Sequence, residues 1–169
     1  MMVDSSPKQV ASSPGPVVYD LTKKIATHSA KKYARRELSE ITTLVLHHSA
    51  HPSMDVYDIA NFHVCEDYLQ KEGAPGIAYH FIIDFEGRIV QTNSLDRISW
   101  HVSQNNDYTL GICVLGNFKK KKLPKKQQKG LNQLIELLKG KFPNLLIKKH
   151  SDFKRTACPS YEYKIADQH

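Results

Sequence analysis

A β-branched and apolar run from Thr42 to His48 ends on two consecutive histidines, and runs of the same character recur later, separated by two segments of helical spacing. This interleaving is the strongest constraint on the fold. Thr42 to His48 predicts a strand, because β-branched residues fit a pleated, half-buried surface. Pro52 and Ser53 offer a helix start, and Val56, Ala60, Val64 and Tyr68, flanked by Ile59 and His63, recur at helical spacing. Gly73, Pro75 and Gly76 break that helix. Ile77 to Asp84 predicts a second strand, Glu86-Gly87 a turn, and Arg88 to Thr92 a strand pairing back as a hairpin. Tyr108 to Leu115 predicts another strand. Pro124 suits the first turn of a second helix with a buried stripe of Leu131, Leu134, Ile135 and Leu138, ended by Gly140. Leu145 to Lys149 predicts a short last strand that delivers His150. Strands interleaved with helices, plus one hairpin, predict an α/β single domain with a central mixed β-sheet flanked by helices.

The length of 169 residues suits one domain with a substantial core. Residues 1–17 are rich in Ser and Pro and read as a flexible tail, leaving 18–169 as the folded domain. Residues 19–40 are strongly basic (Lys23, Lys24, Lys31, Lys32, Arg35, Arg36), and their pattern selects neither helix nor loop. The formal charge of +7 points to anionic partners: nucleic acid, membrane surface or cell-wall polymer. No nucleic-acid motif accompanies the charge, so specific nucleic-acid binding is not expected. The lysine run at 119–122 reads as a solvated loop. No apolar run approaches the ~20 residues of a membrane span, so no membrane insertion is expected. Met1 to Pro16 lacks the apolar core of a signal peptide, which predicts accumulation in a cytoplasm. Three cysteines, an odd number, argue for thiols in metal or core roles rather than a disulfide framework.

Three features carry chemistry: His47-His48 at the end of the first strong strand, His150 at the end of the last, and Cys158 in Thr156-Ala157-Cys158-Pro159. Each alone is weak, since an isolated His is usually packing and an isolated Cys a small hydrophobe. Together, two imidazoles and a thiolate make a three-ligand zinc site, leaving the fourth position for water as catalytic zinc requires. A copper electron-transfer site also uses two His and one Cys, but it needs a nearby axial Met. The methionines here are Met1, Met2 and Met54.

The ordered blocks match a family. His47-His48-Ser49-Ala50, Ala78-Tyr79-His80-Phe81-Ile82-Ile83, Trp100-His101, Leu110 to Gly116, His150-Ser151-Asp152 and Thr156-Ala157-Cys158-Pro159-Ser160 follow one another in sequence. Over roughly Ile41 to Tyr163 the chain resembles the type 2 N-acetylmuramoyl-L-alanine amidases, which include bacteriophage endolysins and the animal peptidoglycan recognition proteins. The resemblance implies one Zn2+ per chain held by His47, His150 and Cys158, with Tyr79 and Thr156 catalytic. It implies substrate contacts from Trp100, His101 and Asn106. His48 is expected to support the site or to point into the core, and His63, in the first helix, to pack or to support the site from behind. It further implies hydrolysis of the amide between N-acetylmuramic acid and L-alanine in bacterial peptidoglycan, and the recognition proteins that only bind peptidoglycan typically lack the zinc Cys. With no signal peptide and no second binding domain, the chain looks like a phage or prophage endolysin that reaches the wall after release. Its basic surface would suit anionic wall polymers.

Two positions depart from parts of the family. Some relatives place a general-base Glu where this chain has Cys113, so that route is closed here. Relatives with a Lys two residues before the zinc Cys face the oxyanion with an ammonium, whereas Thr156 offers a hydroxyl. Cys65 and Cys113 are expected in the core.

Overall fold

The computed structural model describes residues 15–163. Strands β1 (Val18–Asp20), β2 (Thr43–His48), β3 (Phe81–Ile83), β4 (Ile89–Gln91), β5 (Thr109–Val114) and β6 (Leu146–Lys149) form one sheet in the order β1-β4-β3-β5-β2-β6. Of the pairings between these strands, only the β3–β4 hairpin is antiparallel, so the sheet is mixed, as expected. Helices α1 (Val56–Cys65) and α2 (Lys125–Lys141) pack on opposite faces. The tail assigned to 1–17 falls almost wholly on residues 1–14, outside the described residues, and the segment from Gly15 to Val17 has no regular structure. No helix among the described residues is long and apolar enough to cross a membrane.

The two-residue period of a strand decides which face each side chain serves. Leu44 and Leu46 of β2, with Leu110, Ile112 and Val114 of β5, join Leu131, Leu134, Ile135 and Leu138 of α2 in the larger core. Ile82 and Cys113 turn the other way, onto Val56, Ile59 and Ala60 of α1. Gln127 ties α2 to the sheet, donating from Nε2 to the carbonyls of Asp84 and Leu115. At the hairpin turn, Gly87 has φ +80, and a Cβ there would lie 2.2 Å from the Lys126 carbonyl oxygen, so glycine is required on both counts.

Several element boundaries differ from the expectations. α1 begins at Val56, not near Pro52, because His51 Nδ1 accepts from the Ser53 and Met54 amides and Asp55 forms a capping box with Asp58. It ends at Cys65, leaving Tyr68 67% exposed rather than in the buried stripe. The strand expected over Ile77 to Asp84 shrinks to β3. Its first residues satisfy their polar groups with side chains: Asn93 Nδ2 donates to the carbonyls of Ile77 and Tyr79, and His63 Nδ1 accepts from the Ala78 amide. Pro124 caps α2 from just outside, and Gly140 continues the helix rather than ending it; nothing lies within 4 Å of where its Cβ would be.

The basic segment 19–40 is mostly irregular and holds one buried cation. Arg36 is 8% exposed and donates to the carbonyls of Leu95, Asn106, Asp107 and Thr109. It clamps both ends of the loop that carries Trp100, His101 and Asn106.

Two buried histidines make the fold acid-sensitive. His63 is held neutral by burial, which pushes it down to about 4, and its Nδ1 must stay bare to accept the Ala78 amide. His80 is pushed down to about 3, chiefly by burial; its Nδ1 accepts from Gly111 and its Nε2–H donates to the Arg97 carbonyl. Below the unfolded value of ~6.5 the unfolded chain binds protons that the folded chain refuses, so stability falls as pH falls towards 4. Each histidine contributes about 1.4 kcal/mol per pH unit to that slope. The urea midpoint is expected to drop clearly between pH 7 and pH 5, and an unchanged midpoint would contradict this reading.

Candidate active site

β2 and β6 are parallel neighbours, so they deliver His47 and His150 to the same end of the sheet. The loop beyond β6 returns Cys158 to that point. His47 Nδ1 lies 3.7 Å from Cys158 Sγ, the His47 and His150 rings are 4.6 Å apart, and the three donor atoms all fall within 4.8 Å of one another. Donors bound to one tetrahedral zinc at ~2.0 to 2.3 Å must approach each other about this closely. The three expected ligands therefore converge, and among the described residues they are the one such group.

Donor chemistry also fits a cation. Burial, with His150 and His48 nearby, holds His47 well below its ordinary value, and burial likewise lowers His150; both are neutral with a lone pair to give. Burial pushes the Cys158 thiol up to about 11, so a metal ion must displace its proton on binding. The sulfur already accepts the His48 backbone N–H at 3.4 Å.

A hydrogen-bond relay sets the His47 tautomer. Thr109 Oγ1 donates to the Asn105 carbonyl (2.7 Å), so it accepts from His101 Nε2–H (3.0 Å). His101 Nδ1 is then bare and accepts from His47 Nε2–H (3.0 Å), leaving His47 Nδ1 free on the side of Cys158. Outer-shell partners of this kind orient metal-binding imidazoles. Gly111 of β5 makes the relay possible, since a Cβ there would stand 2.7 Å from the His101 ring. The Tyr161 hydroxyl braces the same strand by donating to the His47 carbonyl (3.0 Å). Sequence reasoning assigned no role to Thr109 or Tyr161; each directly adjoins a matching block, but nothing local marks a relay.

Tyr79 is half-buried with its ring 5.1 Å from that of His47. Burial first, then the neighbouring thiols of Cys113 and Cys158, hold its phenol well above its ordinary value, so it remains a donor near neutral pH. Its carbonyl is fixed by Thr92 Oγ1 (2.6 Å) and Asn93 Nδ2 (2.7 Å). Thr156 Oγ1 accepts from the Cys158 amide (3.3 Å), and its own O–H remains available to donate. Tyr79 and Thr156 both line an open cleft of about 740 Å³ over the donor group.

The other expected residues sit around the same cleft. Trp100 lines it, edge-on to Tyr33 at 5.5 Å. Asn106 Oδ1 accepts from the amides of His101 and Val102, so this side chain braces the loop. His101 is 7% exposed, and both its ring nitrogens are taken by the relay. His48 points to the α2 face, where Nδ1 accepts from Phe118. The His63 ring stacks on Tyr68 and lies 5.8 Å from Tyr79. Cys113 is buried as expected, whereas Cys65 is exposed, because α1 stops at that residue and turns it to solvent.

A family model described as N-acetylmuramoyl-L-alanine amidase matches residues 37–161. The endolysin of Klebsiella phage KP32 is 27% identical over 135 residues, covering 77% of this chain and 85% of that protein. A peptidoglycan-recognition protein of Drosophila melanogaster is 25% identical over 134 residues, covering 73% of this chain and 71% of that protein. Among solved structures, the Ph2119 endolysin from a Thermus scotoductus bacteriophage superposes with a TM-score of 0.71 at 24% identity, covering 85% of this chain and 91% of that one. The N-acetylmuramoyl-L-alanine amidase LysC from Clostridium intestinale gives 0.68 at 24% identity, covering 85% and 89%.

Proposed function

The chain belongs to the N-acetylmuramoyl-L-alanine amidase family, and on that premise we propose that it hydrolyses the amide between N-acetylmuramic acid and L-alanine in peptidoglycan. In this reading one zinc ion is held by His47, His150 and Cys158, and the protein serves as a phage or prophage endolysin. The observation that carries it is the convergence of three donors under an open cleft, with the lone pair of His47 aimed at Cys158. Zinc in such a site supplies Lewis acidity, which polarises an amide carbonyl and makes water nucleophilic near neutral pH.

The chain's own residues do the rest. Tyr79 hydrogen-bonds the attacking water or the oxyanion that develops on the carbonyl, and Thr156 adds a second donor. The His48 amide steadies the Cys158 sulfur. Trp100 offers the substrate an aromatic wall, while Asn106 and His101 act by holding the loop and the His47 ring. His63 packs beside Tyr79, with ring centroids 5.8 Å apart. Presence of all three donors favours catalysis over binding alone. The endolysin relatives support action on the wall after release, and the charge of +7 suits an anionic wall.

Mass spectrometry of digested peptidoglycan tests the reaction. Stem peptides with a free N-terminal L-alanine are expected, with the glycan strands left intact; cleavage between sugars, or none, would refute it.

The relay predicts a change in metal affinity independent of turnover. Thr109→Val keeps the shape but removes the acceptor for His101 Nε2–H. Zinc affinity, measured by competition with a chelator, is expected to weaken by about 10- to 100-fold. Affinity within about two-fold of the parent would show that the relay does not orient His47.

A further inference from the structure

Among the residues lining the cleft none is acidic, and the formally charged ones are Lys119 and Lys154. They come from different segments. Lys119 follows β5, directly after Phe118, whose amide is bound to His48 Nδ1. Lys154 follows the short turn that carries His150 and donates its own amide to the His150 carbonyl (3.3 Å). Lys154 is therefore anchored through its own amide to His150, and Lys119 through its neighbour Phe118 to His48. Neither ammonium has an ion-pair partner among the described residues, whereas Lys126 and Lys149 do. The positive charge of each also acts on its neighbour, Lys119 on His48 and Lys154 on His150, which agrees with their closeness to the site.

We propose that Lys119 and Lys154 form a carboxylate-binding subsite that selects stem peptides carrying free acid groups. This rests on the amidase reading above. In such a substrate the sugars are neutral, and the lactyl carboxyl of muramic acid is tied up in the scissile amide. The remaining anionic groups belong to the peptide. Two unpaired ammonium groups in an acid-free cleft concentrate anions and orient them over the donors. The weight falls on recognition rather than on the chemical step, because both groups meet the peptide equally in the ground state and the transition state.

The test compares two soluble N-acetylmuramoyl peptides of the same sequence, one with free side-chain and terminal carboxyls and one fully amidated. With the zinc-loaded protein, amidation is expected to raise KM by about ten-fold with kcat nearly unchanged, about three-fold for each ion pair of ordinary exposed strength. Lys119→Ala and Lys154→Ala should each raise KM for the free acid by about three-fold, and the double variant should no longer distinguish the two peptides. Lys119→Arg with Lys154→Arg should restore the preference, and Lys139→Ala, on α2 away from the cleft, should leave it intact. Equal KM for both peptides with the parent protein would overturn the subsite, as would a preference that survives in the double alanine variant. Failure to cleave either peptide would count against the amidase reading instead.

Discussion

On the proposed function, Cys158→Ser is expected to yield a folded protein that retains no zinc and cleaves peptidoglycan at least about 10³-fold more slowly, since a zinc ion held there would supply several kcal/mol of transition-state stabilisation. The thiolate is the one anionic donor in the group, and a serine hydroxyl at the same place does not ionise at neutral pH. Two controls separate this from general damage. Cys65 is exposed at the end of α1, and Cys65→Ser should keep metal and activity. Cys113 is buried beside Tyr79 and outside the donor group, so Cys113→Ala should keep its metal while losing some stability. Because the Cys158 proton must leave, zinc uptake by the parent should release protons and weaken as pH falls. Elemental analysis of the purified variants decides the matter: a full zinc complement in Cys158→Ser would remove Cys158 from the site.

Tyr79→Phe is expected to lower kcat by roughly 10²- to 10⁴-fold, with zinc content and thermal stability little changed. The substitution removes only a hydroxyl. The ring, which packs against His47 and the α1-side core, is kept, as are the carbonyl contacts to Thr92 and Asn93. Cys113, whose thiol burial keeps protonated, stands where a general-base Glu would be expected, and no residue lining the cleft among the described residues is acidic. Steady-state kinetics together with metal analysis make the comparison, and near-normal turnover in the Phe variant would exclude Tyr79 from the chemistry.

Most of the sheet was legible because strand signals are local. β2 and β5 match the expected runs to within two residues at each end, and their period of two already put His47 and His48 on opposite faces. Boundaries failed where side chains took backbone bonds that a strand or helix would have used. Asn93 and His63 shortened the strand before Phe81, and His51 with Asp55 delayed α1. In both places the competing partner was a polar side chain, whose reach does not show in hydrophobic spacing.

The sequence alone determined the α/β class and the order of its elements, and it singled out the three donors that converge, because these rest on residue type and on motif order along the chain. Tertiary structure decided what those residues touch. His101 read as a substrate contact; it lines the cleft, but the fold engages both its ring nitrogens, with His47 and Thr109. Arg36 belonged to a basic segment whose pattern selected neither helix nor loop, yet it is buried among carbonyls at both ends of the site loop. Lys119 is exposed, as its solvated run implied, and only the fold places it on the cleft beside a lysine from another segment. His47 and His101 are 54 positions apart, and His47 and Cys158 are 111 apart. Over such separations local propensity carries no information about which atoms meet; that follows only from strand register, and from a glycine at 111 that leaves room for a ring.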